Sequence, residues 1–386
     1  MTSPRKILTF VGSRANYSSI KSVMRAIVST PGLELITVAG ASAMLDRFGR
    51  VIDLVRRDGF EVHATFHMLI EGENPTTMAK STGLGLIEMA TILDNLRPDF
   101  VLVVGDRFEI ASVALAAAYM NIPIAHTMGG EITGTIDESV RHAVTKLAHV
   151  HFPANAESAE RIVRMGEPRD SVFLVGCPRI DLVKEILSDG ELPQDFFAQY
   201  RGVGPELDLD RPFLLVSQHP VTTEYGDARR QIEETLWAVA SLEMPTIMLW
   251  PNSDAGSDEV AKGIRTFRER HAPHWLHLFI NLPPDIYIRL MNRTACLVGN
   301  SSSAIREGAF IGVPAVNIGT RQRSRQRGHN VEDVPHERST IAAAIAAQVR
   351  HGKYAQEAIY GDGCAGQRIA DVLSTVDVSV QKRLTY

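Results

Sequence analysis

Short apolar runs alternate with helix-length amphipathic stretches along the whole chain. Strand-like runs fall at residues 7–11, 35–39, 100–104, 122–125, 149–153 and 172–175 in the first half. In the second half they fall at 213–216, 246–250, 276–279, 297–298 and 314–318. Each is rich in Val, Ile, Leu or Phe, as strands covered on both faces should be. Helical patterns lie between them, among them 227–242 and 303–311. Such alternation predicts βαβ units and parallel sheets. The stretch 191–211 breaks the rhythm with Pro193, Gly202, Gly204 and Pro205 among many charges, and reads as irregular. A domain junction is expected just before it, at Gly176-Cys177-Pro178, where a strand ends and a proline blocks its continuation. The two halves share a style but no sequence repeat. The pattern therefore predicts an α/β protein of two doubly wound domains facing a central cleft.

In open parallel sheets, ligands bind beyond the carboxyl ends of the strands. In the first half those places hold Gly12-Ser-Arg-Ala-Asn-Tyr17, Gly105-Asp-Arg-Phe-Glu109 and His126-Thr-Met-Gly-Gly-Glu131. In the second half they hold Gln218-His-Pro220, Pro251-Asn-Ser253 and Gly299-Asn-Ser-Ser-Ser303. This gathering of polar groups at strand ends points to a shared ligand cleft. The Gly299–Ser303 string is the sharpest local signal. Its small residues would let an anion approach backbone N–H groups at a helix start. Ser302 or Ser303 could equally be a plain helix cap. Glu307 could accept from a ribose diol, or simply complement the helix start. Arg321, Arg323, Arg325 and Arg327 follow the strand ending at Ile318; arginine pairs bidentately with phosphate oxygens, but a charge run is often a solvated face. His219 and Asn252 are weak signals alone. Thr135-x-x-Glu138 reads as a capping box. Val140, Val144 and Leu147 give the helix after it one apolar face. Asp137 and Arg141 are four apart on that helix, hence an ordinary surface pair or a carboxylate held at the cleft.

Other chemistries lack their signatures. The first turn has no G-x-G-x-x-G, and Gly83-Leu-Gly85 has neither a third glycine nor a strand before it, which argues against NAD and FAD. His149-Val-His151 shares one strand face but lacks a third ligand for a metal. There is no HExxH, no G-x-S-x-G elbow and no Walker motif. A length of 386 residues suggests two domains. The formal net charge of −5 gives no reason to expect nucleic-acid binding. No apolar run approaches the ~20 residues of a membrane helix, and the N-terminus shows no secretory pattern. Cys177, Cys296 and Cys364 are odd in number and far apart, which suits a reducing compartment. The expected location is the cytoplasm.

Taken together, the motifs resemble the hydrolysing UDP-N-acetylglucosamine 2-epimerase family of the sialic- and legionaminic-acid type. The resemblance runs nearly end to end. It includes Arg14-Ala-Asn-Tyr17, Gly105-Asp-Arg-Phe108, Gly129-Gly-Glu131, the run from Gly134 to Ala143 and Thr145-Lys-Leu-Ala-His149. It continues through Gln218-His-Pro-Val-Thr-Thr223, Pro251–Ser257, Gly299-Asn-Ser-Ser302, Asn317–Gln322 and Ile359-Tyr-Gly-Asp-Gly363. It implies a GT-B-type fold of two Rossmann-like domains, here 1–176 and 177–363, with a helix at about 364–386 returning to the first. It implies a homo-oligomer, dimer or tetramer, with no metal and no cofactor. By match of position, UDP would be held by Arg14, Arg107, His219, Asn252, Ser301, Ser302, Glu307 and Arg321. Catalysis would fall to Asp106, Glu131 and Asp137, with Arg141 beside them. The implied reaction removes the C2 proton of a UDP-sugar, expels UDP to leave a glycal, and adds water. Related readings are a UDP-sugar hydrolase or transferase of GT-B shape that does not epimerise, and a UDP-sugar-binding protein without turnover. The chain departs from the family pattern at Asn16, usually Asp, and at Met128, where many members carry an acid.

Overall fold

The computed structural model describes residues 3–200 and 202–385. Residues 1, 2 and 386 of the expected first domain, and Arg201 of the irregular stretch, lie outside the described residues. Among the described residues, twelve strands form two separate parallel sheets. The first comprises β1 (Arg5–Val11), β2 (Leu33–Ala39), β3 (Ala64–Thr65), β4 (Phe100–Val104), β5 (Ile124–Thr127) and β6 (Val150–Phe152). The second comprises β7 (Leu214–Ser217), β8 (Thr246–Leu249), β9 (Leu276–Phe279), β10 (Cys296–Gly299), β11 (Ala315–Ile318) and β12 (Val331–Val334). The order is β3-β2-β1-β4-β5-β6 in one and β12-β11-β10-β7-β8-β9 in the other. Read in chain order within each sheet, both follow the same doubly wound plan, third-second-first-fourth-fifth-sixth. That plan reverses direction between β1 and β4, and again between β7 and β10, and such reversals open a crevice at the carboxyl ends of the strands.

The chain divides into two compact units. One holds Met1–Ile132, Ile136–Lys184 and Tyr360–Tyr386; the other holds Thr133–Thr135 and Glu185–Ile359. The central strands β4, β7 and β10 are buried along their length. Every residue of β4, Phe-Val-Leu-Val-Val, is buried, and burying each such side chain stabilises by about 1.5–3 kcal/mol. In the first unit Leu8, Val101 and Val103 pack with Ile110, Val113 and Met89. In the second, Leu214, Val216 and Val298 pack with Ile232, Leu236 and Ile264. Gly83 and Gly85 lie within the long helix Pro75–Leu96, which packs against Phe108–Tyr119. Gly85 allows that approach: a Cβ there would come 2.7 Å from Met68 and 2.9 Å from the Ser112 hydroxyl.

Three expectations are corrected. Residues 172–175 do not form a strand: Val172 makes one isolated bridge to His151, and Phe173 donates its N–H to the His151 carbonyl at 2.9 Å. Beyond that the backbone turns at Gly176 (φ 94°), and Cys177 donates its N–H to Tyr360 instead. The helix expected over 303–311 is split into a 3₁₀ turn, Ser302–Ala304, and a short helix, Glu307–Ile311. There Ser303 Oγ bonds both Ser301 Oγ (2.9 Å) and the Tyr287 hydroxyl (2.7 Å), and this side-chain network favours the tighter turn. The stretch 191–211 contains one short helix, Phe196–Gln199, anchored by Phe196 against Phe279.

A second feature of the first unit is the return of residues after 360. The helix Ala365–Thr375 packs on Arg14–Ser29. The segment beyond it carries Lys382 to Glu167, whose side chain is 1% exposed. Lys382 Nζ lies 2.8 Å from Glu167 Oε2, Lys146 pairs with Oε1, and His151 Nε2 stands 3.1 Å from Oε2. Lys382 also donates to the carbonyls of Lys146 and Ala148. Thr385 donates its N–H to Gly166 at 3.1 Å. Burial pushes the Glu167 carboxyl up, but the bonds from His151, Lys146 and Lys382 outweigh it and hold the group down at about 2. The carboxylate is therefore fixed in its charged form among three donors.

Candidate functional site

In the first unit, the helix Ile136–Leu147 organises the loops that follow β4 and β5. Arg141 on this helix is fully buried, a position that a guanidinium tolerates only when paired. Its Nη2 forms an ion pair with Asp106, whose side chain is 21% exposed. Its Nη1 donates to the Glu131 carbonyl at 2.7 Å. One guanidinium thus ties the residue after Gly105 to the end of the Gly-Gly-Glu string. Glu131 is buried, and Asp137 is half-buried one turn before Arg141. The structure therefore gathers Asp106, Glu131 and Arg141, and shows that the Arg141 fork reaches across to the β4 loop.

Arg107 precedes the helix Phe108–Tyr119, and its Nε lies 2.8 Å from the buried Glu109 Oε1. Glu109 in turn lies against Gly12, where a Cβ would come 2.8 Å from Glu109 Cγ. The turns after β1 and β4 therefore touch at the point where the sheet order reverses. Arg14 opens the helix Arg14–Ser29, which Ser13 caps.

The two family departures have local explanations. Asn16 is buried, and its Oδ1 accepts the Gly12 N–H at 3.2 Å, closing the turn after β1. A carboxylate oxygen could accept the same bond, so this position is used to shape the loop. Met128 is 4% exposed and has φ 61°. Its sulfur lies 3.9 Å from the Cys177 thiol. The side chain is thus packed beneath the loop, as a soft filler of irregular space.

In the second unit the site centres on Asn300, which is fully buried. Its Oδ1 accepts the His219 N–H and its Nδ2 donates to the His219 carbonyl, both at 2.8 Å. The side chain thereby spans the reversal between β7 and β10. Gly299 makes the crossing possible: its φ is 127°, and a Cβ would lie 2.2 Å from the Ser217 carbonyl. His219 Nδ1 accepts the Asn252 N–H at 3.2 Å, so a neutral ring carries its proton on Nε2. Asn252 also donates to Asp254. Arg321 Nη1 donates to the Asn300 carbonyl at 3.3 Å, and its Nη2 stands 3.7 Å from Asp254. Gln322 Nε2 reaches the same Asn300 carbonyl at 2.9 Å. Ser301 and Ser302 are half-buried beside this hub, and Glu307, buried, begins the short helix after the 3₁₀ turn.

The arginine run separates into different roles. Arg327 is committed to Asp333 and the Gln322 carbonyl. Arg323 is exposed and Arg325 buried. Arg321 is joined to the loop after β10 through the Asn300 carbonyl. Gly134 donates its N–H to the Arg321 carbonyl at 3.1 Å and accepts from Thr223 Oγ1 at 3.1 Å, which fixes the backbone of that loop.

The structure thus brings Asp106, Glu131, Asp137, Arg141, Arg107 and Arg14 to the strand ends of one sheet. It brings His219, Asn252, Ser301, Ser302, Glu307 and Arg321 to those of the other. The first collection offers carboxylates for proton transfer. The second offers hydroxyl, imidazole and guanidinium donors for an anion. Sequence reasoning missed Asn300, Glu109 and Asp254. All three stood inside strings already singled out, but nothing in the sequence separates a bracing residue from its neighbours. Among the described residues no group of three His, Cys, Asp or Glu could hold a metal ion. No described helix is long and apolar enough to cross a membrane.

The sequence profile of the UDP-N-acetylglucosamine 2-epimerase family matches residues 25–374. A hydrolysing UDP-N,N'-diacetylbacillosamine 2-epimerase of Legionella pneumophila is 30% identical over 377 residues, covering 98% of this chain and 97% of its own. A UDP-N-acetylglucosamine 2-epimerase of Neisseria meningitidis is 28% identical over 389 residues, covering 98% of each. Among solved structures, the Neisseria meningitidis enzyme bound to UDP-GlcNAc superposes with a TM-score of 0.79 at 18% identity, covering 95% of this chain and 99% of that one. The Methanocaldococcus jannaschii enzyme in complex with UDP-GlcNAc and UDP gives 0.77 at 17% identity, covering 96% and 99%. These similarities establish the GT-B-type fold. With the sheet order and the near full-length match in agreement, the chain belongs to the UDP-N-acetylglucosamine 2-epimerase family.

Proposed function

We propose that this protein is a hydrolysing 2-epimerase of a UDP-sugar with a 2-acetamido group. It would convert UDP-N-acetylglucosamine and water, or a close variant, into N-acetylmannosamine or the matching sugar and UDP. The observation that best supports the reading is the Arg141 clamp, which holds Asp106 and the Gly-Gly-Glu131 turn together at the strand ends. In the elimination, a carboxylate takes the C2 proton, the C1–O bond to UDP breaks, and C1=C2 forms. Water then adds its hydroxyl to C1 while a proton returns to C2 from the opposite face. Asp106, Glu131 and Asp137 are the proposed acid–base groups. Arg14, Arg107, His219, Asn252, Ser301, Ser302, Glu307 and Arg321 are the proposed UDP ligands. Cations and N–H groups on the departing pyrophosphate would stabilise the charge that develops there.

The test is proton NMR of the products formed in D₂O from UDP-N-acetylglucosamine and from UDP-N,N'-diacetylbacillosamine. The expected result with one of them is free UDP and a free sugar inverted at C2 and deuterated there. Free sugar without deuterium at C2 would mean a hydrolase, and tight binding without UDP release would mean a binding protein. Either outcome overturns the proposal.

Arg321→Ala should weaken UDP binding by about 1.5–3 kcal/mol, the usual worth of a hydrogen bond to a charged group. Calorimetry with UDP reads this directly, and unchanged affinity removes Arg321 from the site. We further infer a homo-oligomer, dimer or tetramer, since helix Pro75–Leu96 turns Ile87 (65% exposed) and Leu84 (40%) outward. We place the protein in the cytoplasm, because its three cysteines are all free.

A further inference from the structure

His126 is the last residue but one of β5 and is fully buried. Its Nε2 lies 2.8 Å from the Gly105 carbonyl, and its Nδ1 lies 3.2 Å from Thr145 Oγ1. A carbonyl can only accept, so Nε2 carries a proton. Burial pushes the imidazole pKa down to about 3, against the opposing pull of the Gly105 bond, so the ring is neutral at ordinary pH. Nδ1 is then bare and accepts a hydrogen bond from the Thr145 hydroxyl. Thr145, itself fully buried, thereby selects the tautomer that can hold Gly105. Gly129 of the Gly-Gly-Glu string leaves room for the pair: a Cβ there would come 2.9 Å from both His126 Nδ1 and Thr145 Oγ1.

The carbonyl that His126 holds belongs to the peptide bond entering Asp106. Gly105 has φ 76°, and its N–H is fixed to the Thr127 carbonyl at 3.1 Å. Both polar groups of Gly105 are thus held from β5. The orientation of the Gly105–Asp106 peptide limits the direction in which the Asp106 side chain leaves the backbone. Thr145 and Arg141 are four residues apart, hence on one face of the helix Ile136–Leu147. That helix holds the same turn twice. Arg141 grips the carboxylate, and Thr145 grips the backbone through His126.

We propose that His126 and Thr145 are positioning residues that aim the Asp106 carboxylate at the reacting sugar. The proposal rests on the assignment of Asp106 as an acid–base group. A misplacement near 1 Å can cost about 10²-fold in rate, so loss of the relay acts on turnover and leaves ligand binding alone.

The experiment compares Thr145→Val, Thr145→Ser, His126→Phe, His126→Gln and Asp106→Asn in the full chain. UDP release, KM for the UDP-sugar and UDP affinity are measured for each. Thr145→Val keeps the shape and removes the hydroxyl. It should lower kcat by about 10–100-fold, with KM and UDP affinity within about twofold of wild type. Thr145→Ser should restore kcat. His126→Phe should behave as Thr145→Val, and His126→Gln, which retains an N–H donor, should recover part of the loss. A role in stability alone would not separate kcat from KM or be rescued by the donor-bearing residue. If Asp106→Asn is inactive while Thr145→Val and His126→Phe turn over as wild type, positioning is overturned and the assignment of Asp106 stands. If Asp106→Asn itself turns over as wild type, the assignment falls and positioning with it.

Discussion

Asp106→Asn lowers turnover by about 10²–10⁴-fold, the contribution typical of a positioned acid or base, while UDP still binds. The substitution keeps the shape of the side chain and removes its ability to take a proton. It also removes the anion facing Arg141, which is fully buried. An uncompensated buried charge can cost about 3–5 kcal/mol of stability, so loss of activity must be separated from loss of fold. UDP affinity makes the separation, because the proposed ligands around Asn300 belong to the other unit. The expected outcome is a variant with near wild-type UDP affinity and almost no UDP release from the UDP-sugar. Turnover within about tenfold of wild type would transfer the acid–base role to Glu131 or Asp137.

Glu167→Ala destabilises the protein by about 3–5 kcal/mol at neutral pH, as expected for breaking a buried ion pair from one side. The lower end of the range applies, because Lys146, 36% exposed, can turn its ammonium to water. Lys382, 23% exposed, and the buried His151 have less freedom. The pH dependence has a definite sign. A carboxyl held at about 2 in the folded chain, against an ordinary 4.5, contributes stability that is present in full above pH 4.5. That contribution is lost as the pH falls from 4.5 toward 2. Urea unfolding of wild type and variant at pH 7 and at pH 3 checks both statements. The gap between the two proteins should be widest at pH 7 and narrow at pH 3. A gap below about 1 kcal/mol at pH 7 would show that the cluster is solvated after all.

The parts of the fold legible in the sequence were those where burial acts on both faces of a strand. β4 and β9 coincide with their predicted runs, because every residue in them is buried. β12 escaped notice because it is an edge: Glu332 and Asp333 are exposed in the middle of Val-Glu-Asp-Val. β3 has only two residues, too few for any period. The apolar run at 172–175 looked like a strand, but a run records burial and not pairing; Leu174 is in fact exposed. The site was legible at the level of loops, since strand ends in parallel sheets are where ligands bind. Its bracing was not. His126 meets Thr145 nineteen residues away, and Asn300 meets His219 across eighty-one. Such partnerships exist only once the sheet order is set. Asn16 and Met128 show the converse. Compared by residue type they suggest missing carboxylates, yet in place one closes a turn and the other fills space beside Cys177.

The return of residues after 360 to the first unit has a consequence for how the protein is made. Translation delivers the six strands of the first sheet early, but the helix that covers Arg14–Ser29 and the lysine that meets Glu167 come only after the whole of the second unit. At roughly 5–20 residues per second, residues 185–359 take on the order of 10–35 s to synthesise. During that interval the second unit acquires all its strands, while the first waits with an apolar helix face uncovered and the Glu167 carboxylate lacking one of its three partners. The first unit to begin is therefore the last to close. Any substitution that weakens it prolongs the stage at which chaperones or aggregation compete for the nascent chain.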